Sequence, residues 1–287
     1  MTPRAVAGRT AYGSRTSTRA IGMKIQRVSA SLTERDQLIC LDLHEHRVLT
    51  TEQVYELRFS SIQRARSRLL HLHELSVIWR TRPHTQIGSL PWHYILDEIG
   101  SWVVAEHLGI DPHEVGYRDD RKRTITNSPQ LRHTRAANSF FSRLIFAARS
   151  AEAPLRVAEW RGESWCERRW QLHIRPDGYA RLESPEGKLE LLLELDRGTE
   201  NRGRLEDKME RYRIMARAAT APDVVLFCFT SLAREASARP VLGGTPMPVA
   251  TATLDRHIAD PLGPNWVPIH GDRRLRLADL PRGGTAR

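Results

Sequence analysis

The sequence predicts a two-domain α/β protein: a small N-terminal helical unit ending in a β-hairpin, then a C-terminal domain built on a mixed sheet flanked by helices. Three observations predict it. Helical periodicity runs from residue 32 to about 75, several strand-length apolar segments gather after residue 150, and a polar, charged stretch without apolar period separates the two regions. At 287 residues the chain is long enough for each half to bury a core. The expected boundaries are a basic arm over 1–31, a DNA-reading unit over 32–108, a linker over 109–128, an α/β domain over 129–280 and a loose tail over 281–287.

Residues 1–30 carry Arg4, Arg9, Arg15, Arg19, Lys24 and Arg27 without one acid, among many Ser, Thr, Gly and Ala. That composition buries too little apolar surface to fold alone. Met23 offers an alternative start.

From Thr33 the chain turns helical, with Thr33 and Asp36 spaced as a capping box and Leu38, Leu41, Leu43 and Val48 supplying apolar surface. Thr50 or Thr51 caps a second short helix bearing Val54 and Leu57. Ser60 with Gln63 opens a third, running to about Leu75. At about 100° per residue, Ile62, Ala65, Leu69 and Leu72 share one side of that third helix. Gln63, Arg64, Ser67, Arg68 and His71 are left for solvent or a ligand. VIWRTR at 77–82 and WHYIL at 92–96 then form a hairpin flanked by Arg80, Arg82 and His84.

Three short helices and a basic hairpin, in that order, predict a winged helix-turn-helix whose third helix enters the major groove of double-stranded DNA while the wing grips the backbone. The charge balance agrees, because 44 Lys+Arg against 34 Asp+Glu give a formal +10 that attracts polyanions. Arg118, Arg121, Lys122 and Arg123 of the linker are further candidates for DNA contact.

The second half opens with a helix over about 131–149 that carries Phe140, Phe141, Leu144 and Ile145. Strand-like LRVAEW (155–160) and RRWQLHI (168–174) follow. SPEG at 184–187 is a hairpin tip, and pairing Ser184 with Gly187 sets Leu182 against Leu189 and Ala180 against Leu191 on one face. Glu183 meets Lys188 and Arg181 meets Glu190 on the other. Extended further, the same register brings Asp177 beside Glu194 and Arg175 beside Asp196.

Two carboxylates directly opposed repel. Either a proton or a cation resolves the conflict, and oxygen ligands in twos and threes suit Mg²⁺ or Mn²⁺. Asp177, Glu194 and Asp196 are therefore the candidate metal ligands. The alternative is structural: Arg175 and Asp196 form an ion pair, Asp177 caps the strand end and Glu194 is partly protonated. A helix over about 205–219 carries Lys208, and DVVLFCF (223–229) and VATATL (249–254) complete a mixed sheet through a parallel crossover.

Pro-Asp followed by a strand ending in Glu-x-Asp resembles the PD-(D/E)xK nuclease core, a restriction-endonuclease-like α/β fold. More closely, residues 32 to about 212 are similar to the replication-relaxation family. The stretches that carry the likeness are LTERDQLICLDLHEHRVLTTEQ, RARSRLLHLHELSVI, HYILDEIG, RPDGY and LELDRGTE followed by Lys208 and Tyr212. The resemblance implies plasmid or mobile-element DNA transactions, with metal-dependent endonuclease or nicking activity centred on Asp177, Glu194, Asp196 and Lys208. Asp196 stands where the nuclease lysine belongs, so Arg175 or Lys208 has to supply that charge. The rival expectation is a non-catalytic accessory protein or transcriptional regulator whose second domain binds a protein partner or forms a homodimer.

Other classes have no support. Cys40, Cys166 and Cys228 lack CxxC spacing, and His44 with His46 and His71 with His73 lack the spacing of about four that metal pairs on a helix need. No apolar run approaches the roughly 20 residues that cross a bilayer, and no secretory signal is present, so a cytoplasmic location without membrane contact is expected. There is no Gly-rich phosphate loop and no GxSxG elbow.

Overall fold

A computed structural model of the chain describes residues 28, 30–82, 90–117, 128, 130–171, 174–198, 201–218 and 221–282. Most of the predicted basic arm, the hairpin tip with His84, the linker cations Arg118, Arg121, Lys122 and Arg123, and the end of the tail lie outside the described residues.

The chain begins with α1 (Glu34–His46), β1 (Leu49–Thr50), α2 (Thr51–Arg58) and α3 (Ile62–Glu74). Capping boxes start the first two helices: Thr33 and Asp36 exchange side-chain and backbone hydrogen bonds, as do Thr50 and Gln53. The third helix starts one residue later than its sequence signal, with Ser61 rather than Ser60 at the cap. β2 (Ile78–Thr81) and β3 (His93–Leu96) pair antiparallel, and β1 adds to the other edge of β3, giving a small sheet in the order β1-β3-β2. α4 (Glu98–Leu108) closes this half over Ile39, Leu43, Val54, Leu69, Leu72 and Val104.

The second half starts with α5 (Leu131–Ala147) and continues through β4 (Arg156–Gly162), α6 (Glu163–Trp170), β5 (Gly178–Ser184), β6 (Gly187–Asp196), α7 (Arg202–Met215), β7 (Val224–Phe229), α8 (Leu232–Ala238), β8 (Val249–Thr253), α9 (Leu254–Ala259) and β9 (Val267–Pro268). The sheet runs β4-β5-β6-β7-β8-β9, with parallel neighbours only at β6-β7 and β7-β8. The fold is thus mixed α/β with a mixed six-stranded sheet. The hairpin register is the expected one: Ser184 faces Gly187, Leu182 faces Leu189 and Gly178 faces Leu193. Gly187 closes the turn at φ 121°, a conformation side-chain-bearing residues avoid.

β6 is buried on both faces. Leu189, Leu191, Leu193 and Leu195 pack with Phe140, Phe141 and Leu144 of α5, while Leu192 packs on the opposite face with Leu205, Met209 and Tyr212 of α7. Each of these large apolar side chains contributes about 1.5–3 kcal/mol on burial. Their alternation also decides where Glu194 goes, since it shares the α7 face with Leu192.

Two expectations are corrected. The strand expected over 168–174 is a helix where it should begin: α6 occupies Glu163–Trp170, with Cys166 and Trp170 one turn apart facing the core, an acid in the first turn and Arg168 and Arg169 in the last. Nor does Arg175 lie across from Asp196. The β5 ladder begins only at Gly178, and Arg175 pairs with Glu167 of α6 instead.

The two halves are in close contact through α5. Asn138 donates its amide to the carbonyl oxygens of His46 (3.2 Å) and Val48 (2.7 Å), and Gln53 donates to Arg135 O and Ser139 Oγ, both at 2.9 Å. Glu56 accepts from Ser142 Oγ and Arg143, and His46 stacks on Trp160 with ring centroids 3.4 Å apart.

Candidate functional site

Two regions collect the functional side chains. The first is the outer surface of α3, which buries Ala65, Leu69 and Leu72 and leaves Gln63, Arg64, Ser67 and His71 exposed. Beside it lies a groove of ≈ 530 Å³ between α3 and the start of α1, lined by Arg35, Phe59, Arg64, Ser67, Arg68 and His71. Arg35 lies 5.0 Å over the Phe59 ring. Arg68 has a more internal task than its helix position implies. Its guanidinium forks onto the fully buried Asp36 carboxylate, Nε to Oδ1 at 2.8 Å and Nη2 to Oδ2 at 2.5 Å, which joins α3 to the capping box of α1. On the hairpin, Arg80 and Arg82 both stack on Trp92, at 4.5 and 5.8 Å from its centroid, and Arg82 also donates to Leu90 O.

The second region is the end of the β5-β6 ladder. The backbone N–H of Asp177 donates to Leu193 O at 2.8 Å, although Leu193 is already the ladder partner of Gly178, so the expected register stops there and does not continue to a pair of Asp177 and Glu194. Gly178 is required beside it, because a Cβ there would collide with the Phe141 ring. The side chains then part. Asp177 accepts from the Leu195 N–H at 2.7 Å and pairs with His133 of α5 at 2.5 Å, in a narrow cavity of ≈ 20 Å³ that also involves His46, Asn138 and Glu163. Glu194 turns toward α7, accepting from Lys208 Nζ at 2.8 Å and Tyr212 Oη at 2.5 Å. Asp196 accepts from the Gly198 N–H and from Arg234 of α8.

So each acid has its own donors, and the carboxylates do not share one spot. Burial pushes the Glu194 carboxyl up to about 7, against the pull of Lys208 and with a further push from Asp177. The hydrogen bond to Asp177 holds His133 above its ordinary value, and burial raises Glu163, with Asp177 adding to the effect. Among the described residues no group of three or more His, Cys, Asp and Glu side chains is placed to hold a metal ion.

These segments lie within one family match. The replication-relaxation model covers residues 41–225, from within α1 to the second residue of β7. This chain belongs to the replication-relaxation family. Membership suggests a role in plasmid or mobile-element replication or relaxation, and hence involvement with DNA. No curated protein and no solved structure matches the chain. No helix among the described residues is long and apolar enough to cross a membrane.

In this replication-relaxation protein, Glu194 forms part of the wall of an open cleft of ≈ 820 Å³ beneath α7, whose lining includes Arg175, Arg204, Asp207, Lys208 and Arg211. Asp177 lines the other, narrow cavity. Of the residues singled out in the sequence, Glu194 and Lys208 are brought into contact; Asp196 lies on the same strand face but is closed off by Arg234.

Sequence reasoning missed His133, Arg234 and the role of Tyr212. His133 had a signal, since it precedes Ala137, Phe140 and Leu144 at helical spacing and so sits on the core-facing stripe of α5. Tyr212 follows Lys208 by one turn and faces the same carboxylate. Arg234 had none: only the parallel crossover brings α8 over the end of β6.

Proposed function

We propose that this replication-relaxation protein docks on double-stranded DNA through a winged helix-turn-helix, with α3 in the major groove and the β2-β3 hairpin as the wing. The observation that carries the reading is the exposed row Gln63, Arg64, Ser67 and His71 beside a hairpin whose Arg80 and Arg82 are held in place by Trp92. Stacked guanidiniums are already ordered, so less side-chain entropy is lost when they meet phosphates. Arg68 supports the surface by fixing α3 to α1. The test is duplex affinity across a salt series for the wild type and Arg64→Ala. Losing one phosphate contact lowers affinity and reduces the slope of log K against log salt by about 1. An unchanged slope in the folded variant removes α3 from the interface.

A second reading, metal-dependent nicking, is favoured by one contact: Lys208, from a helix, reaches Glu194 at 2.8 Å and so brings to the acids the lysine that the strand itself lacks. Asp177, Glu194 and Asp196 offer hard oxygens of the type Mg²⁺ or Mn²⁺ takes, and such an ion would polarise a phosphate and its attacking water. As arranged, those oxygens fit an ion only if Lys208 leaves Glu194 and His133 leaves Asp177. In the closed arrangement Lys208 and Tyr212 orient Glu194, while His133 and the Leu195 N–H orient Asp177. Supercoiled plasmid incubated with Mg²⁺ or Mn²⁺ separates the readings. Nicking lost in Asp177→Ala and Glu194→Ala supports the enzyme, whereas an intact plasmid with retained DNA affinity supports an accessory or regulatory protein.

A further inference from the structure

We propose that duplex DNA gripped by the wing also lies across the second half of the chain, its phosphates meeting a cluster of three arginines, Arg132 and Arg135 on α5 and Arg197 just past β6. The inference rests on the reading of the chain as a winged-helix DNA-binding protein and extends the interface beyond α3 and the hairpin.

Strand and helix periods bring the three together. Leu193 and Leu195 pack with Phe140 and Phe141 on the α5 face of β6, so two-residue alternation delivers Arg197 to that same face as the strand runs out. It meets the opening turns of α5, where Arg132 and Arg135, three residues apart, are neighbours on one side. Arg132 and Arg197 are exposed, and Arg135 is half-buried. Burial, with the charges of Arg132 and Arg197 next, presses the Arg135 guanidinium below its ordinary value, and Glu52 of α2 does not cancel the effect. Among the described residues none of the three forms an ion pair. Arg161 and Arg181, by contrast, share Glu159. Asp177 does not serve the cluster as a counter-charge, because it already accepts from His133 and from the Leu195 N–H. Guanidiniums gathered without a carboxylate repel one another, and an anion with several closely spaced charges relieves that repulsion.

Continuity with the wing identifies the anion. The Thr51 N–H that begins α2 donates to Trp92 O at 3.3 Å, and Gln53, two residues on, donates its side-chain amide to Arg135 O at 2.9 Å. Trp92 is the ring on which Arg80 and Arg82 stack. The wing cations and the arginine cluster therefore flank the start of α2, with Glu52 as the intervening acid. Duplex DNA is stiff over such a span, so a backbone held by the wing presents its next phosphates to the cluster without further ordering. Contacts of this kind add affinity and fix orientation but read no sequence.

The experiment uses the full chain and a fluorescent duplex of two helical turns, about 20 base pairs, titrated across a salt series. Arg132→Ala/Arg197→Ala removes the two exposed cations and leaves half-buried Arg135 in place. We expect the slope of log K against log salt to become shallower by about 1.8 for two lost phosphate contacts. Adding Arg64→Ala lowers it by about 1 more, because one duplex meets both surfaces. Arg156→Ala/Arg202→Ala, the same change in net charge at exposed ion pairs of the second half, leaves the slope unchanged. The proposal is overturned if the folded cluster variant keeps the wild-type slope, if the control pair lowers the slope equally, or if the triple variant matches Arg64→Ala alone. An unchanged slope in Arg64→Ala beside a shallower one in the cluster variant removes α3 from the interface and leaves the cluster in it.

Discussion

Arg64 and Arg68 sit one helical turn apart with similar sequence surroundings, yet they do different things. Arg64 is exposed, whereas Arg68 neutralises Asp36, a carboxylate with no solvent exposure that also caps α1. Removing Arg68 strands that buried charge, so Arg68→Ala should cost about 2–4 kcal/mol in urea denaturation. Arg64→Ala should stay within about 0.5 kcal/mol of the wild type while weakening duplex binding. A stable Arg68→Ala variant would show that the Asp36 pair is dispensable. The difference was not legible in the sequence, because helical phase places both arginines outward and Asp36 lies far upstream. Glu194 makes a further residue-scale prediction. Below about pH 4.5 its carboxyl is protonated in the folded and unfolded chains alike; between there and about 7 only the unfolded chain releases its proton. Stability from this group is therefore lost as pH rises through that window, and Glu194→Gln should flatten the decline of Tm. His133 acts in the same direction at higher pH: its pairing with Asp177 contributes fully below 6.5 and is lost as pH rises through its elevated value. If Tm rises instead of falling from pH 5 to 8, with the slope unchanged in Glu194→Gln and His133→Gln, both assignments fail.

At the scale of elements, the β5-β6 hairpin was the most legible part of the chain. A Pro-Glu turn and matched cross-strand pairs allow one register, and that register is observed. The reading broke down where the ladder stops: Arg175 belongs to the segment before the strand and turns to Glu167. The α6 segment was misread because RRWQLHI alternates well enough for a strand, while the helix gains its stability from the burial of Cys166 and Trp170 against Tyr179 and Leu192. α5 carries a function that periodicity cannot reveal, since its polar side chains Asn138, Ser142 and Arg143 bond to α1, α2 and the loop between them. Asn138→Ala leaves the His46 and Val48 carbonyls without that donor and should cost about 1–3 kcal/mol by denaturation. A loss below about 0.5 kcal/mol would mean that water replaces the amide there.

Across the whole molecule, the mixed sheet and its parallel centre followed from apolar runs at 223–229 and 249–254, but the closing strand β9 did not, because two residues carry no pattern. The partition of the acids was also illegible. The expected register would set Asp177 beside Glu194, but the ladder ends at Gly178 and Leu193, and the packing of α5 and α7 on opposite faces receives the two carboxylates in different cavities. Because α5 packs into the sheet and bonds to α1 and α2, both halves should unfold in a single calorimetric transition; two resolved transitions would mean the shared contacts do not couple them. The exposed basic face of α3 is the surface proposed to dock this protein on duplex DNA. Equilibrium binding of a duplex across a salt series, for the wild type beside Arg64→Ala, tests it most directly. The expected result is a linear loss of affinity with log salt, with a slope about one unit shallower in the variant. A folded wild type without salt-dependent duplex affinity, or a variant with an identical slope, would contradict it.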